Sequence, residues 1–92
     1  MYTSRASRIL EFSSLSAAEI SALAKSASDD IYRHRKVIER HEKIARICAR
    51  KGDYAAKEAA EVRIQLEHDR LTARLDDLAC LQAVNRENDR QA

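Results

Sequence analysis

The sequence predicts an all-α protein, a long antiparallel two-helix hairpin with a short N-terminal segment. Three observations point there. Gly52 is the only glycine and proline is absent, so long helices meet no breaker on either side of that position. Apolar residues recur at helical spacing through residues 17–51 and again through 53–86. Between the two runs, Arg50-Lys51-Gly52-Asp53 joins a basic last turn to a C′ glycine and an aspartate N-cap, which ends one helix and begins the next.

Composition bounds what such a hairpin can be. Charged residues make up 35% of the 92 and aromatics only 4%, the balance of long helices around a thin core in a single domain. Residues 1–52 hold 11 Lys/Arg against 6 Asp/Glu, and residues 53–92 hold 6 against 9. A basic first half facing an acidic second half suits antiparallel helices. The net charge of +2 is too small to argue for nucleic acid. No run of eighteen apolar residues offers a membrane span, and no continuous apolar segment marks a signal peptide, so the default expectation is cytoplasmic. In that compartment Cys48 and Cys80 are expected as reduced thiols, and in the hairpin they stand roughly 35 Å apart along the axis.

Residues 1–15 form the N-terminal segment. Tyr2, Ala6 and Ile9 share a helical face, but a helix this short does not persist without tertiary contacts. Ile9, Leu10 and Phe12 either dock the segment onto the hairpin or form an arm that meets a partner. Ser16-Ala17-Ala18-Glu19 is a capping box, and Leu15 with Ile20 adds a hydrophobic staple, so the first long helix starts at residue 17.

Along residues 17–51, Ile20, Leu23, Ala24, Ala27, Ile31, Ile38 and Ala45 keep one face for about 52 Å. His34 and His41 fall inside that face, at heptad a and d positions with Ile31, Ile38, Ala45 and Cys48. The outer face carries Arg33, Lys36, Arg40, Lys43 and Arg46, a basic ridge suited to contact a protein partner.

The second helix, 53–86, has a main stripe of Ile64, His68, Leu71, Leu75 and Leu78. A second line, Val62, Leu66, Ala73, Cys80 and Val84, lies about 180° away, so this helix needs a second neighbour. That neighbour is expected to be a second protomer, giving a four-helix homodimer, or else the N-terminal segment or a foreign partner. The polar tail, 87–92, is expected to fray.

Few side-chain constellations in the chain suit chemistry. His34, His41 and His68 form a polar core, but His34 and His41 stand seven residues, about 10.5 Å, apart on one helix, too far to share one metal. They are expected as hydrogen-bonded core histidines. Neither cysteine has a histidine base at a useful spacing. Asp29-Asp30 and Asp76-Asp77 are neighbours in sequence and diverge by ~100° on a helix. One glycine makes no phosphate loop. No catalytic residue, cofactor or metal is expected.

The string Asp30-Ile31-Tyr32-Arg33-His34-Arg35-Lys36-Val37-Ile38-Glu39-Arg40 resembles the central helix of TraM-type antiactivators. The Leu15–Leu23 stretch and the Leu71, Leu75, Leu78, Leu81 series loosely echo the same family. The family's glycine- and proline-containing C-terminal end has no counterpart here. The resemblance implies a small, dimeric, all-helical cytoplasmic protein that binds a LuxR-type quorum-sensing activator and blocks its DNA binding. The leading expectation is a non-catalytic regulator acting by protein–protein contact. The alternatives are a helical chaperone or assembly adaptor, and a nucleic-acid-binding protein using the basic ridge.

Overall fold

The computed structural model describes residues 5–91 and is all-helical among them. Its elements are α1 (Arg5–Ser13), α2 (Ala17–Lys51) and α3 (Tyr54–Gln91). Tyr2, expected on the apolar face of the N-terminal segment, lies outside the described residues.

The helix ends follow from local chemistry. α1 stops where the Ser13 and Ser14 hydroxyls donate to the carbonyls of Leu10 and Glu11 at 2.7 and 2.8 Å, offering the backbone an alternative to another turn. Ser16 and Glu19 then cap α2 reciprocally. The Glu19 amide donates to Ser16 Oγ at 3.1 Å, and the Ser16 amide donates to Glu19 Oε1 at 3.2 Å.

α2 ends in a Schellman motif. The Gly52 amide donates to the Ala49 carbonyl at 3.2 Å and the Asp53 amide to the Cys48 carbonyl at 2.9 Å. Asp53 also serves as N-cap of α3, with Oδ1 accepting from the Ala56 amide at 3.2 Å. Gly52 makes this double use possible, because its φ is 76°, where a Cβ meets its own backbone. A Cβ built there has nothing else within 4 Å. Gly52→Ala is therefore expected to cost about 1 kcal/mol, all of it backbone strain, read as a lower urea midpoint with an unchanged m-value.

The chain divides into two compact units. The unit comprising Asp30–Thr72 is the turn and the two helical segments that pack antiparallel behind it. Its buried apolar residues are Ile31, Ile38, Ala60 and Leu71. On α2 the inward positions run 31, 34, 38, 41, 45, 48 and on α3 they run 60, 64, 67, 71, alternating steps of three and four that keep a seam between two supercoiled helices.

The other unit comprises Met1–Asp29 and Ala73–Ala92. Here α1 joins the N-terminal part of α2 and the C-terminal part of α3 around buried Ile20, Leu81 and Val84, with Ile9, Phe12, Leu15 and Ala24 packed against them. Ion pairs fasten α1 further: Arg5 and Arg8 both bind Asp76, and Arg8 Nη1 reaches Asp77 Oδ1 at 2.6 Å. The paired guanidiniums hold the Asp76 carboxyl below its ordinary pKa, the hydrogen bond from Arg5 being the largest cause.

Several expectations change here. Cys80 and Val84, assigned to a dimer interface, are buried within the chain at 0% and 2% exposure. The second neighbour of this part of α3 is α1, which packs against the cluster holding Val84 and leaves Val62, Leu66 and Ala73 of the same line exposed. Ile9 and Phe12, offered as a partner-binding arm, are the residues that dock it, while Leu10 is 72% exposed. The polar tail remains helical to Gln91.

Candidate functional site

The polar centre of the turn unit is built on a residue that the apolar stripes did not reveal. Glu67 is only 2% exposed and occupies the seam position between Ile64 and Leu71. Its Oε2 lies 2.6 Å from His34 Nδ1 on α2. Its Oε1 lies 3.0 Å from Arg63 Nη2 and 3.1 Å from Arg70 Nη1, one turn away on either side of its own helix. A buried carboxylate is tolerable only when its lone pairs are occupied in this way. The hydrogen bond from His34 lowers the Glu67 pKa most, the two arginines add to it, and burial opposes them.

This corrects the expected polar core. His34 is partly buried as anticipated, and so is His41, whose Nδ1 donates to the Val37 carbonyl at 2.9 Å. His68 is exposed, and Leu75 is 40% exposed. The reason is periodicity. Two supercoiled helices keep contact at 3.5 residues per turn rather than 3.6, which brings 67 inward and turns 68 out. In sequence Glu67 has arginines four residues before it and three residues after it, both within helical reach, a pattern that an exposed helix face shares and that does not by itself mark a core position.

Around this centre lies an open groove of 490 Å³, lined by Asp30, Arg33, His34 and Val37 from α2 and by Arg63, Glu67 and Arg70 from α3. Arg33 is paired with Asp30. The outward parts of Arg33, Arg63 and Arg70 remain substantially exposed, at 72%, 46% and 51% of their side chains. The groove is therefore cationic at its rim, although its deepest charge is negative.

The helical phase extends this face toward the turn. On α2 the residues one step before each seam position are Asp30, Arg33, Val37, Arg40, Ile44 and Ile47. On α3 the matching line is Ala59, Arg63, Leu66 and Arg70. In antiparallel helices these two flanks fall on the same side, as the shared groove lining confirms. Ile44, Ile47 and Leu66 are 39%, 39% and 42% exposed, so half-exposed aliphatics alternate with arginines.

The remaining expected site residues are on the outside. Lys36, Arg40, Lys43 and Arg46 are exposed, with Lys36 near Glu39 at 3.6 Å and over the Tyr32 ring at 5.4 Å. Val62 at 65% and Ala73 are also exposed. Among the described residues, no three His, Cys, Asp or Glu side chains converge as a metal-ligand set, and no helix is long and apolar enough to cross a membrane. Both cysteines are free thiols. Comparison with family models, with curated proteins and with solved structures finds no match.

Proposed function

We propose that this chain is a non-catalytic regulatory module that works by binding another protein, most concretely an antiactivator that sequesters a transcriptional activator. The observation that supports binding is the flank of the turn unit, where Ile44, Ile47 and Leu66 are left half-exposed beside Arg33, Arg40, Arg63 and Arg70. Aliphatics bordered by arginines are the composition of a protein-contact surface, since arginine is enriched there and lysine depleted. The likeness of residues 30–40 to TraM-type antiactivators adds the transcriptional form of the proposal.

Full-length chain used as bait is expected to capture a stoichiometric protein partner whose DNA binding is masked in the complex. Changing Arg40, Lys43 and Arg46 together to glutamate is expected to abolish capture. Recovery of no stable partner from the native host would sink the proposal. Capture that survives the triple change favours the chaperone alternative, which relies on apolar contact. Binding to an oligonucleotide that weakens with salt favours the nucleic-acid alternative.

A homodimer is a second reading, supported by Val62 at 65% exposed and by the exposure of Leu66 and Ala73. With Cys80 and Val84 already covered, such an interface would be shorter than the sequence suggested.

A further inference from the structure

We infer that the flank of the turn unit is a receptor for one amphipathic, acidic helix of a partner protein, with Ile44 and Leu66 seating its apolar side and Arg33, Arg63 and Arg70 pairing with its carboxylates. This rests on the protein-binding function proposed above and names both the site and the chemistry of what fills it.

Length, charge and preorganisation each point to that occupant. From Asp30 to Ile47 the α2 flank extends for about 26 Å, which matches four to five turns of a docked helix. A groove between two helices receives a third by taking its residues at i, i+3, i+4 and i+7, and Val37 in the groove with Ile44, Ile47 and Leu66 along the flank are apolar contacts available to them. The charge is one-sided: four arginines (33, 40, 63 and 70) stand against Asp30 and the buried Glu67.

Arg63 and Arg70 are also held in place. Each has one end on Glu67 Oε1, and a guanidinium has five N–H donors, so donors remain to meet an incoming carboxylate. Arginines already oriented lose less side-chain entropy on binding than free ones. Nucleic acid is the poorer fit, because neither Tyr32 nor Tyr54 belongs to the two flanking lines and aliphatic side chains give bases no stacking surface.

The test uses the full chain and a fluorescein-labelled helical peptide with leucines at i, i+4 and i+7 and glutamates on both sides of them. Fluorescence polarisation is expected to show saturable binding that weakens about tenfold when the peptide's glutamates become glutamines. Leu66→Ser is expected to weaken it about tenfold, and Arg70→Gln about fivefold. Arg35→Glu, an exposed change on the opposite flank, serves as the charge control and should leave affinity within about twofold.

Leu66 is already half-exposed, so its substitution reports on binding even if Arg70→Gln disturbs Glu67 and the fold. Absence of binding at low salt, or equal losses in Arg35→Glu and Arg70→Gln, overturns the site. So does displacement of the peptide by a duplex oligonucleotide. Sedimentation showing a dimer that Leu66→Ser dissociates would assign the face to a second copy of this chain. A native partner lost in the Arg40/Lys43/Arg46 triple variant but retained by Leu66→Ser and Arg70→Gln would remove the groove while leaving the binding function intact.

Discussion

Replacing His34 with leucine is expected to lower stability by about 2 kcal/mol, roughly 8–16 °C in melting temperature for a domain this small. The substitution leaves Glu67 Oε2 facing an aliphatic side chain in the seam, with only Oε1 still paired to Arg63 and Arg70. Glu67→Leu behaves differently. It removes the buried charge, fills a heptad core position, and returns two largely exposed arginines to water, so it is expected to be neutral or stabilising by about 1 kcal/mol. The double variant should regain the loss, giving a coupling of about 2 kcal/mol in a double-mutant cycle read by urea melts. If His34→Leu falls within about 0.5 kcal/mol of the parent, the pair does not organise the seam.

The same pair sets an acid limit. Glu67 has its pKa depressed in the folded chain, so its stabilising contribution is complete above the ordinary glutamate pKa and disappears as pH falls through the folded value. Stability should therefore decline below about pH 4.5. That decline should be shallower in Glu67→Leu, though not absent, because Asp76 is depressed in the same direction.

Leu81→Ala is expected to have the larger effect in the other unit, about 3 kcal/mol. Leu81 is 2% exposed and meets Ile20 and Val84 where Ile9 and Phe12 of α1 rest. α1 has nine residues, too few to remain helical once that seat is hollowed. Trypsin cleavage after Arg5 and Arg8 should therefore accelerate well before the rest of the chain unfolds. Simultaneous loss of all protection would show that α1 is not a separately detachable element.

The correspondence between sequence and structure is strongest where chemistry is local. The Ser16/Glu19 box, the Gly52 C′ position and the Asp53 cap each depend on residues within one turn, so their types alone specify the outcome. The α2 seam was legible for a related reason: most of its apolar and histidine positions follow the three-and-four alternation, and Ala27, Ile31 and Ile38 are buried where that spacing puts them, while Leu23, which falls outside the alternation, is 41% exposed.

α3 was harder because its sequence supports two phases. The apolar residues 64, 71, 75 and 78 favour a stripe that takes in His68, while the packed seam takes 60, 64, 67 and 71. Only the partner helix distinguishes them, by placing His34 opposite Glu67 and so making a buried carboxylate tolerable. Likewise, nothing in α1 by itself states that Arg5 and Arg8 will find Asp76 and Asp77, some seventy residues away. What the amino-acid order determined alone was helical class, caps, turn and one apolar stripe, since these arise from neighbours along the backbone. Which polar residue enters the core, and which helix covers the second side of α3, was decided only by tertiary packing, because both depend on groups far apart in the chain.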